Sequence, residues 1–134
     1  MTAILNPYLS FDGNAREAFD FYAAALGGTP VYNTFGENGM ADSPLADKIM
    51  HARLETPSGF TLMASDTPPG AAHQPGTNVA ISLSGDDEAQ LRDYWDALSA
   101  DATINVPFEK QMWGDTFGYC TDQFGIGWMV NITG

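Results

Sequence analysis

Residues 54–63 read LETPSGFTLM and residues 120–129 read CTDQFGIGWM. Each stretch places strand-forming residues on both sides of a turn that contains glycine, which is typical of a β-hairpin. The two stretches are about 70 residues apart in the chain, and Phe21-Tyr22 and Tyr94-Trp95 echo each other upstream of them. An internal repeat of this length indicates a chain built from two similar modules.

The elements before each hairpin follow the same order. In the first half, the patterns predict strands at 4–11, 29–35, 48–55 and 60–65 and a helix at 15–26, which Asp12 or Asn14 is placed to cap. In the second half, they predict strands at 78–84, 103–109, 113–121 and 127–132 and a helix at 88–98. The sequence therefore predicts an α+β fold of two tandem βαβββ modules, each with a sheet face that its single helix leaves uncovered.

The 134 residues fit one domain, with a first module at about 1–67, a linker at about 68–76 and a second module at about 77–134. Three prolines and two glycines mark that linker. The segment 36–47 is broken by Gly36, Gly39 and Pro44, and we expect a mobile loop able to cover a site.

The net charge of the chain indicates which kinds of partner it can bind. Seventeen acidic residues against five basic ones give a net charge of −12, which disfavours nucleic acids and anionic membranes. No apolar run is long enough to span a bilayer, and the first residues lack the basic and apolar regions of a signal peptide. We therefore expect a cytoplasmic protein with no membrane or nucleic-acid partner.

Three stretches carry a family resemblance. They are NPYLSFDGNAREAFDFYAAALGG at 6–28, HARLETPSGFTLMASD at 51–66 and WGDTFGYCTDQFGIGWMVN at 113–131. Together they resemble the PhnB-like branch of the glyoxalase/bleomycin-resistance/dioxygenase (vicinal oxygen chelate, VOC) superfamily. The resemblance implies two βαβββ modules that form a curved, half-open mixed sheet. Relatives have carried a methyltransferase label tied to demethylubiquinone, but no glycine-rich nucleotide-binding turn follows a strand here.

The resemblance also implies where a metal would bind. In metal-dependent members, four inward-pointing His, Glu or Gln side chains hold one divalent cation that polarises the substrate. By strand order, these positions fall here at Pro7 or Tyr8, at Met63, at Asn78 and at Met129. Because such side chains bind hard or borderline cations poorly, we predict that the usual metal site is missing and that no cofactor is bound.

Polar side chains alternate along the predicted strand 48–55. One face carries Ile49, His51, Arg53 and Glu55, and the other carries Met50, Ala52 and Leu54. We expect the apolar face to pack on a helix and the polar face to line a cavity, where it would orient an anionic or carbonyl ligand. The alternative is a salt-bridge network that only stabilises the strand.

Other residues allow two interpretations. The aromatic and thioether side chains form either cavity walls or a core or dimer interface, and they are Tyr8, Phe11, Met63, Trp113, Phe124, Trp128 and Met129. Asp115 is a turn former or a site carboxylate, whereas Asp66 and Asp122 suit turns. Cys120 is a packed residue rather than a nucleophile, and His73 in the linker has no predicted role.

These observations favour a metal-free protein that binds an unknown small molecule and forms a homodimer with cavities lined by both modules. The candidate ligand-binding residues are Tyr8, His51, Arg53, Glu55, Met63, Asn78, Trp113 and Met129. The alternative is a metal-dependent lyase, isomerase or dioxygenase of the glyoxalase type with a displaced site, built from His51, Glu55, Asp66 and Asp115. A third hypothesis is an interaction module whose cavity is filled by its own side chains.

Overall fold

The computed structural model describes residues 3–134. Its contacts divide the chain into two compact units, Met1–Gln74 and Pro75–Gly134. The division between Gln74 and Pro75 lies inside the proline- and glycine-rich segment 68–76. Within residues 3–134, no helix is both long and apolar enough to cross a membrane.

Among residues 3–134, each unit contains one α-helix and four strands in the order β-α-β-β-β. Unit 1 contains β1 (Tyr8–Phe11), α1 (Ala15–Leu26), β2 (Val31–Thr34), β3 (Ile49–Glu55) and β4 (Thr61–Asp66). Unit 2 contains β5 (Ile81–Gly85), α2 (Glu88–Leu98), β6 (Thr103–Lys110), β7 (Thr116–Thr121) and β8 (Gly127–Ile132). The predicted α+β class with two tandem βαβββ modules is confirmed, and both helices have the predicted bounds.

The two sheets share one topology. The strand orders are β1-β4-β3-β2 in unit 1 and β5-β8-β7-β6 in unit 2. The first and last strands of each unit pair in parallel, and the other neighbours are antiparallel. Each unit therefore has a mixed sheet whose second strand in the chain lies at one edge.

Strand register matches the repeat seen in the sequence. Met63 of β4 lies opposite Arg53 of β3, and Met129 of β8 lies opposite Tyr119 of β7. Likewise, Leu54 lies opposite Leu62 in unit 1, and Cys120 lies opposite Trp128 at the equivalent place in unit 2. The alignment of LETPSGFTLM with CTDQFGIGWM is thus confirmed residue by residue.

Each helix buries one stripe against its own sheet. The buried residues of α1 are Ala15, Ala18, Phe19, Tyr22 and Leu26, and those of α2 are Leu91, Tyr94, Trp95 and Leu98. In unit 1, α1 packs on β3 and β4, where Ala52, Leu54, Leu62 and Ala64 are buried. The alternate residues of these strands therefore point away from the helix.

An aromatic stack covers a glycine in unit 2. The rings of Trp95 and Phe108 are stacked with centroids 5.1 Å apart. A Cβ atom at Gly118 would lie 2.9 Å from both side chains, so only glycine fits beneath the stack. The matching residue in unit 1 is Ala52, because it pairs with Ala64 as Gly118 pairs with Val130.

Three strands are predicted to begin three or more residues too early. β1 begins at Tyr8 rather than Ile4, because Pro7 has no N–H to donate and only its carbonyl joins the ladder, accepting from Met63 N at 3.1 Å. β7 begins at Thr116 rather than Trp113, because Gly114 forms a turn at a φ of 102°. β5 begins at Ile81, after a bend that contains Asn78.

The predicted loop 36–47 is folded on itself. A short 3-10 helix spans Gly36–Asn38, and Gly36 N donates to Ala46 O at 2.9 Å. Phe35 at its base is buried, so the segment has its own anchor in the core of unit 1.

Candidate functional site: the open face of unit 1

The sheet of unit 1 presents a polar surface on the side away from α1. Tyr8 of β1 lies beside Met63, which lies beside Arg53. Ser10 of β1 lies beside Ser65 in the next row. We call this surface the open face, and it comprises Tyr8, Ser10, His51, Arg53, Glu55, Met63 and Ser65. It therefore brings together all five candidate residues predicted in the first module.

Tyr8 and His51 meet across the open face. The Tyr8 Oη atom lies 3.4 Å from His51 Nδ1, and the ring centroids are 5.9 Å apart at 37°. Their strands lie on either side of β4, so the two side chains meet above that strand. Because the contact uses Nδ1, the Nε2 atom of His51 is the ring nitrogen left to meet a ligand.

Arg53 and Glu55 pair on the same strand. Nε of Arg53 donates to Glu55 Oε1 at 3.0 Å, and Nη2 donates to the same oxygen. The side chains are 40% and 63% exposed, so solvent screens the pair and its net contribution to stability is about 0–1 kcal/mol. The predicted salt-bridge network is therefore only a pair, since the contact of His51 is with Tyr8.

Ile49 does not belong to the open face, contrary to prediction. Opposite β2, the register shifts so that Asn33 faces His51 and Thr34 faces Ile49, which leaves Met50 as an extra residue in β3. This bulge turns Ile49 toward the core, where it is 1% exposed. The strict alternation assumed from the sequence fails at this point.

The four positions to which the family resemblance assigns a metal carry unsuitable donors. Met63 lies opposite Tyr8, and Met129 lies opposite Ser82 at the matching place in unit 2. Asn78 is in an exposed bend before β5, so Ser82, which the sequence did not single out, takes the strand position that corresponds to Tyr8. A phenol, a hydroxyl and two thioethers do not fit a hard or borderline divalent cation.

The displaced metal site gains no support from the carboxylates proposed for it. Both oxygens of buried Asp66 are engaged, with Gly13 N and Ala15 N on one and Ile49 N on the other, at 2.8–3.0 Å. Across residues 3–134, no group of three or more His, Cys, Asp or Glu side chains could hold a metal ion.

Asp115, the carboxylate of that hypothesis that belongs to unit 2, closes a loop there. It accepts hydrogen bonds from Asn131 Nδ2 and from Gly134 N, each at 3.0 Å. These bonds, that of Asn131 first, hold the pKa of Asp115 below its usual range. The nearby Trp113 is 61% exposed, with its ring 6.4 Å from that of Phe117.

A separate groove of about 410 Å³ lies in unit 2, beside the start of α2 and the ends of β6 and β8. Its charged lining is mixed, with Asp86, Glu88, Glu109, Arg92 and Lys110. None of the eight predicted ligand-binding residues lines this groove, so the candidate residues and the groove mark different surfaces.

Two predicted structural roles are seen in unit 2. Asp122 Oδ1 accepts from Phe124 N at 2.9 Å and from Ile126 N at 3.0 Å, as a turn-forming aspartate should. Its other oxygen accepts from Trp128 Nε1 at 2.8 Å. Cys120 is fully buried, and this burial, with a smaller effect of Asp122, raises its pKa from 9.0 to about 11.

This thiol should be unreactive in the folded protein. A pKa two units above the ordinary value leaves about 100-fold less thiolate, so we expect iodoacetamide at pH 8 to alkylate native Cys120 at least about 100-fold more slowly than the urea-unfolded chain. The folded state holds the proton of the Cys120 thiol more tightly than the unfolded state does. The protonated thiol therefore contributes its full stabilisation of the fold below pH 9.0, and this contribution is lost as the pH rises through about 11. Cys120→Ala should remove that part of the pH dependence, and equal alkylation of native and unfolded chains would contradict the assignment.

Comparison with known proteins agrees with this architecture. The family model described as "Glyoxalase/Bleomycin resistance protein/Dioxygenase superfamily" matches residues 4–130. The chain belongs to this superfamily. Protein PA1353 from Pseudomonas aeruginosa is 39% identical and superposes with a TM-score of 0.87 over 98% of both chains.

Two further similar proteins extend the comparison. Protein YjdN of Escherichia coli (strain K12) is 29% identical over 96% of this chain and 94% of its own length. The PhnB protein from Bacillus cereus is 19% identical and has a TM-score of 0.78, over 98% of this chain and 100% of its own. The superfamily assignment and the PhnB-like fold predicted from the sequence are confirmed, while the activity of this chain stays a matter for proposal.

Proposed function

We propose that this superfamily member binds a small molecule on the open face without a metal ion. The contact of Tyr8 with His51 above β4 carries the proposal, because it presents a polar ring nitrogen on a sheet surface that no helix of its own unit covers. Met63 supplies an apolar, polarisable floor beside Tyr8. Small-molecule sites commonly combine apolar surface with a few polar groups that orient the ligand.

The unsuitable donors support the metal-free part of the proposal. The positions that metal-dependent relatives would fill with His, Glu or Gln hold Tyr8 and Met63 here, so the inherited pair in unit 1 offers a phenol and a thioether. A ligand on this face must therefore be held by hydrogen bonds and apolar contact. Arg53, His51 and Tyr8 provide the donors for such contacts.

The proposal predicts binding that chelators do not affect. We expect small-molecule fragments screened by NMR in excess EDTA to shift the resonances of Tyr8 and His51. His51→Ala should weaken this binding by about tenfold, as expected for loss of one well-placed hydrogen bond. His73→Ala is the matched control, since it removes the other histidine, whose Nδ1 contacts Thr67 Oγ1 at 3.3 Å outside the open face.

Two results would contradict the proposal. One is binding that appears only after a divalent metal is added, with a stoichiometric ion retained by the purified chain. The other is a set of fragments whose affinity is unchanged in His51→Ala.

We also propose that the chain forms a homodimer. Two large apolar residues follow each other in the chain before β7, Met112 at 98% and Trp113 at 61% exposure, and such exposed groups favour association. Twofold dimers are the commonest assemblies of soluble chains. Light scattering at micromolar concentration should give about twice the 14.4 kDa chain mass, and a monomer mass would contradict it.

A further inference from the structure

We infer that the ligand of the open face is an organic carboxylate, which binds Arg53 by displacing Glu55. This inference rests on the proposed function and specifies its chemistry. Glu55 then acts as a built-in competitor that occupies the guanidinium until a ligand arrives.

The geometry of the pair leaves room for exchange. Nε and Nη2 of Arg53 both donate to a single oxygen of Glu55, so one Glu55 oxygen takes up the side of the guanidinium that suits a bidentate carboxylate. An incoming carboxylate would place two oxygens there and make two separate bonds. The exchange replaces one Glu55 oxygen, which accepts both hydrogen bonds, by two ligand oxygens that accept one hydrogen bond each.

The solvent exposure of the Arg53–Glu55 pair lowers the cost of replacing Glu55 by a ligand carboxylate. Arg53 and Glu55 are 40% and 63% exposed, so breaking their contact costs little in water. The released Glu55 stays at the surface and regains its hydration. A buried pair would resist such replacement, because an unpaired buried charge is costly.

Arg53 is the cation that the open face offers. The other two basic residues of unit 1 lie elsewhere, with Arg16 placed over the Tyr32 ring at 4.6 Å and Lys48 Nζ donating to Gly13 O at 3.0 Å. Arg53 lies directly beside Met63, which in turn lies beside Tyr8. A ligand with a carboxylate on an apolar or aromatic group could therefore place the carboxylate on Arg53 and the apolar group against Met63 and the Tyr8 ring.

The test compares benzoate with benzamide, which differ in charge but hardly in shape. Each is titrated into the chain, its Glu55→Gln variant and its Arg53→Gln variant, with binding followed by NMR shifts of the β1, β3 and β4 amides. We expect Glu55→Gln to tighten benzoate binding about threefold and Arg53→Gln to weaken it at least fivefold. The wild-type chain should bind benzamide more weakly than benzoate.

Glu88→Gln is the matched control for global charge. Glu88 pairs with Arg92 at 3.2 Å in unit 2 and is 61% exposed, so it matches Glu55 in charge, exposure and pairing with an arginine. Benzoate binding should be unchanged in this variant, and an equal gain in Glu55→Gln and Glu88→Gln would overturn the competitor role.

The outcomes separate this inference from the proposed function. If benzamide binds the open face as tightly as benzoate and Arg53→Gln changes neither, the carboxylate assignment fails while small-molecule binding stands. If neither probe shifts the open face, the carboxylate assignment fails, and the fragment screen with His51→Ala decides the proposed function by itself.

Discussion

Asp66→Ala is expected to lower the free energy of unfolding by about 3–5 kcal/mol. The carboxylate is 2% exposed and accepts hydrogen bonds from Gly13 N, Ala15 N and Ile49 N at 2.8–3.0 Å. Alanine would leave three amide groups without their acceptor, one of them at the first residue of α1. Such N–H groups would lose their hydrogen bonds to water on folding without gaining a protein acceptor, which destabilises the folded state.

Urea denaturation of the wild-type chain and the variant measures this effect. Asp87→Ala is the control, because Asp87 caps α2 through a single exposed bond to Gln90 N at 3.1 Å. That change should cost only about 1 kcal/mol. Equal losses in the two variants, or a loss below about 1 kcal/mol for Asp66→Ala, would show that Asp66 does not join these elements.

Gly118→Ala is expected to lower the free energy of unfolding by about 2–3 kcal/mol. The added methyl would lie 2.9 Å from Phe108 Cβ, Phe108 Cδ1 and Trp95 Cη2, which is closer than carbon atoms pack. The ring stack must open to admit it. The matching Ala52 in unit 1 is fully buried, so the other sheet accommodates alanine at the corresponding position.

A double-mutant cycle identifies the cause of the loss. Phe108→Ala removes one of the three close contacts, that with Cδ1, and leaves the Trp95 ring free to shift, so Gly118→Ala should cost about 1 kcal/mol less in that background. Thermal or urea unfolding of the four chains gives the coupling. If the two changes are additive, then strand geometry rather than the aromatic stack requires glycine.

Helices and hairpins were predictable from the sequence because their signals are local. Apolar spacing and flanking glycine defined α1 at its observed bounds, and the turn chemistry defined both terminal hairpins. The sequence predicts Asp12 or Asn14 as the cap of α1, and Asn14 does occupy the N-cap position. Its side chain makes no cap bond, however, and the amide of Ala15 donates instead to Asp66, which lies 51 residues further along the chain. A partner so distant along the chain leaves no local pattern.

The candidate site was partly predictable for the same reason. Period-two alternation placed His51, Arg53 and Glu55 on one surface. Tyr8 and Met63 were candidates through the family resemblance, and the pairing of β1 with β4 and of β4 with β3 brings them beside these residues. The bulge at Met50 removed Ile49 from that surface, and the late start of β5 removed Asn78 from its strand. Bulges and strand starts depend on pairing across the sheet, which single-sequence patterns do not contain.

The shared register of the two sheets also records how the halves have diverged. Arg53 corresponds to Tyr119, and two residues earlier His51 corresponds to Phe117, since each pair has the same offset from Met63 or Met129. The corresponding helix-packed positions carry small or apolar residues in both halves, whereas these outward positions carry basic side chains in unit 1 and aromatic rings in unit 2. The two halves therefore share one scaffold but present different chemistry on the same strand surface.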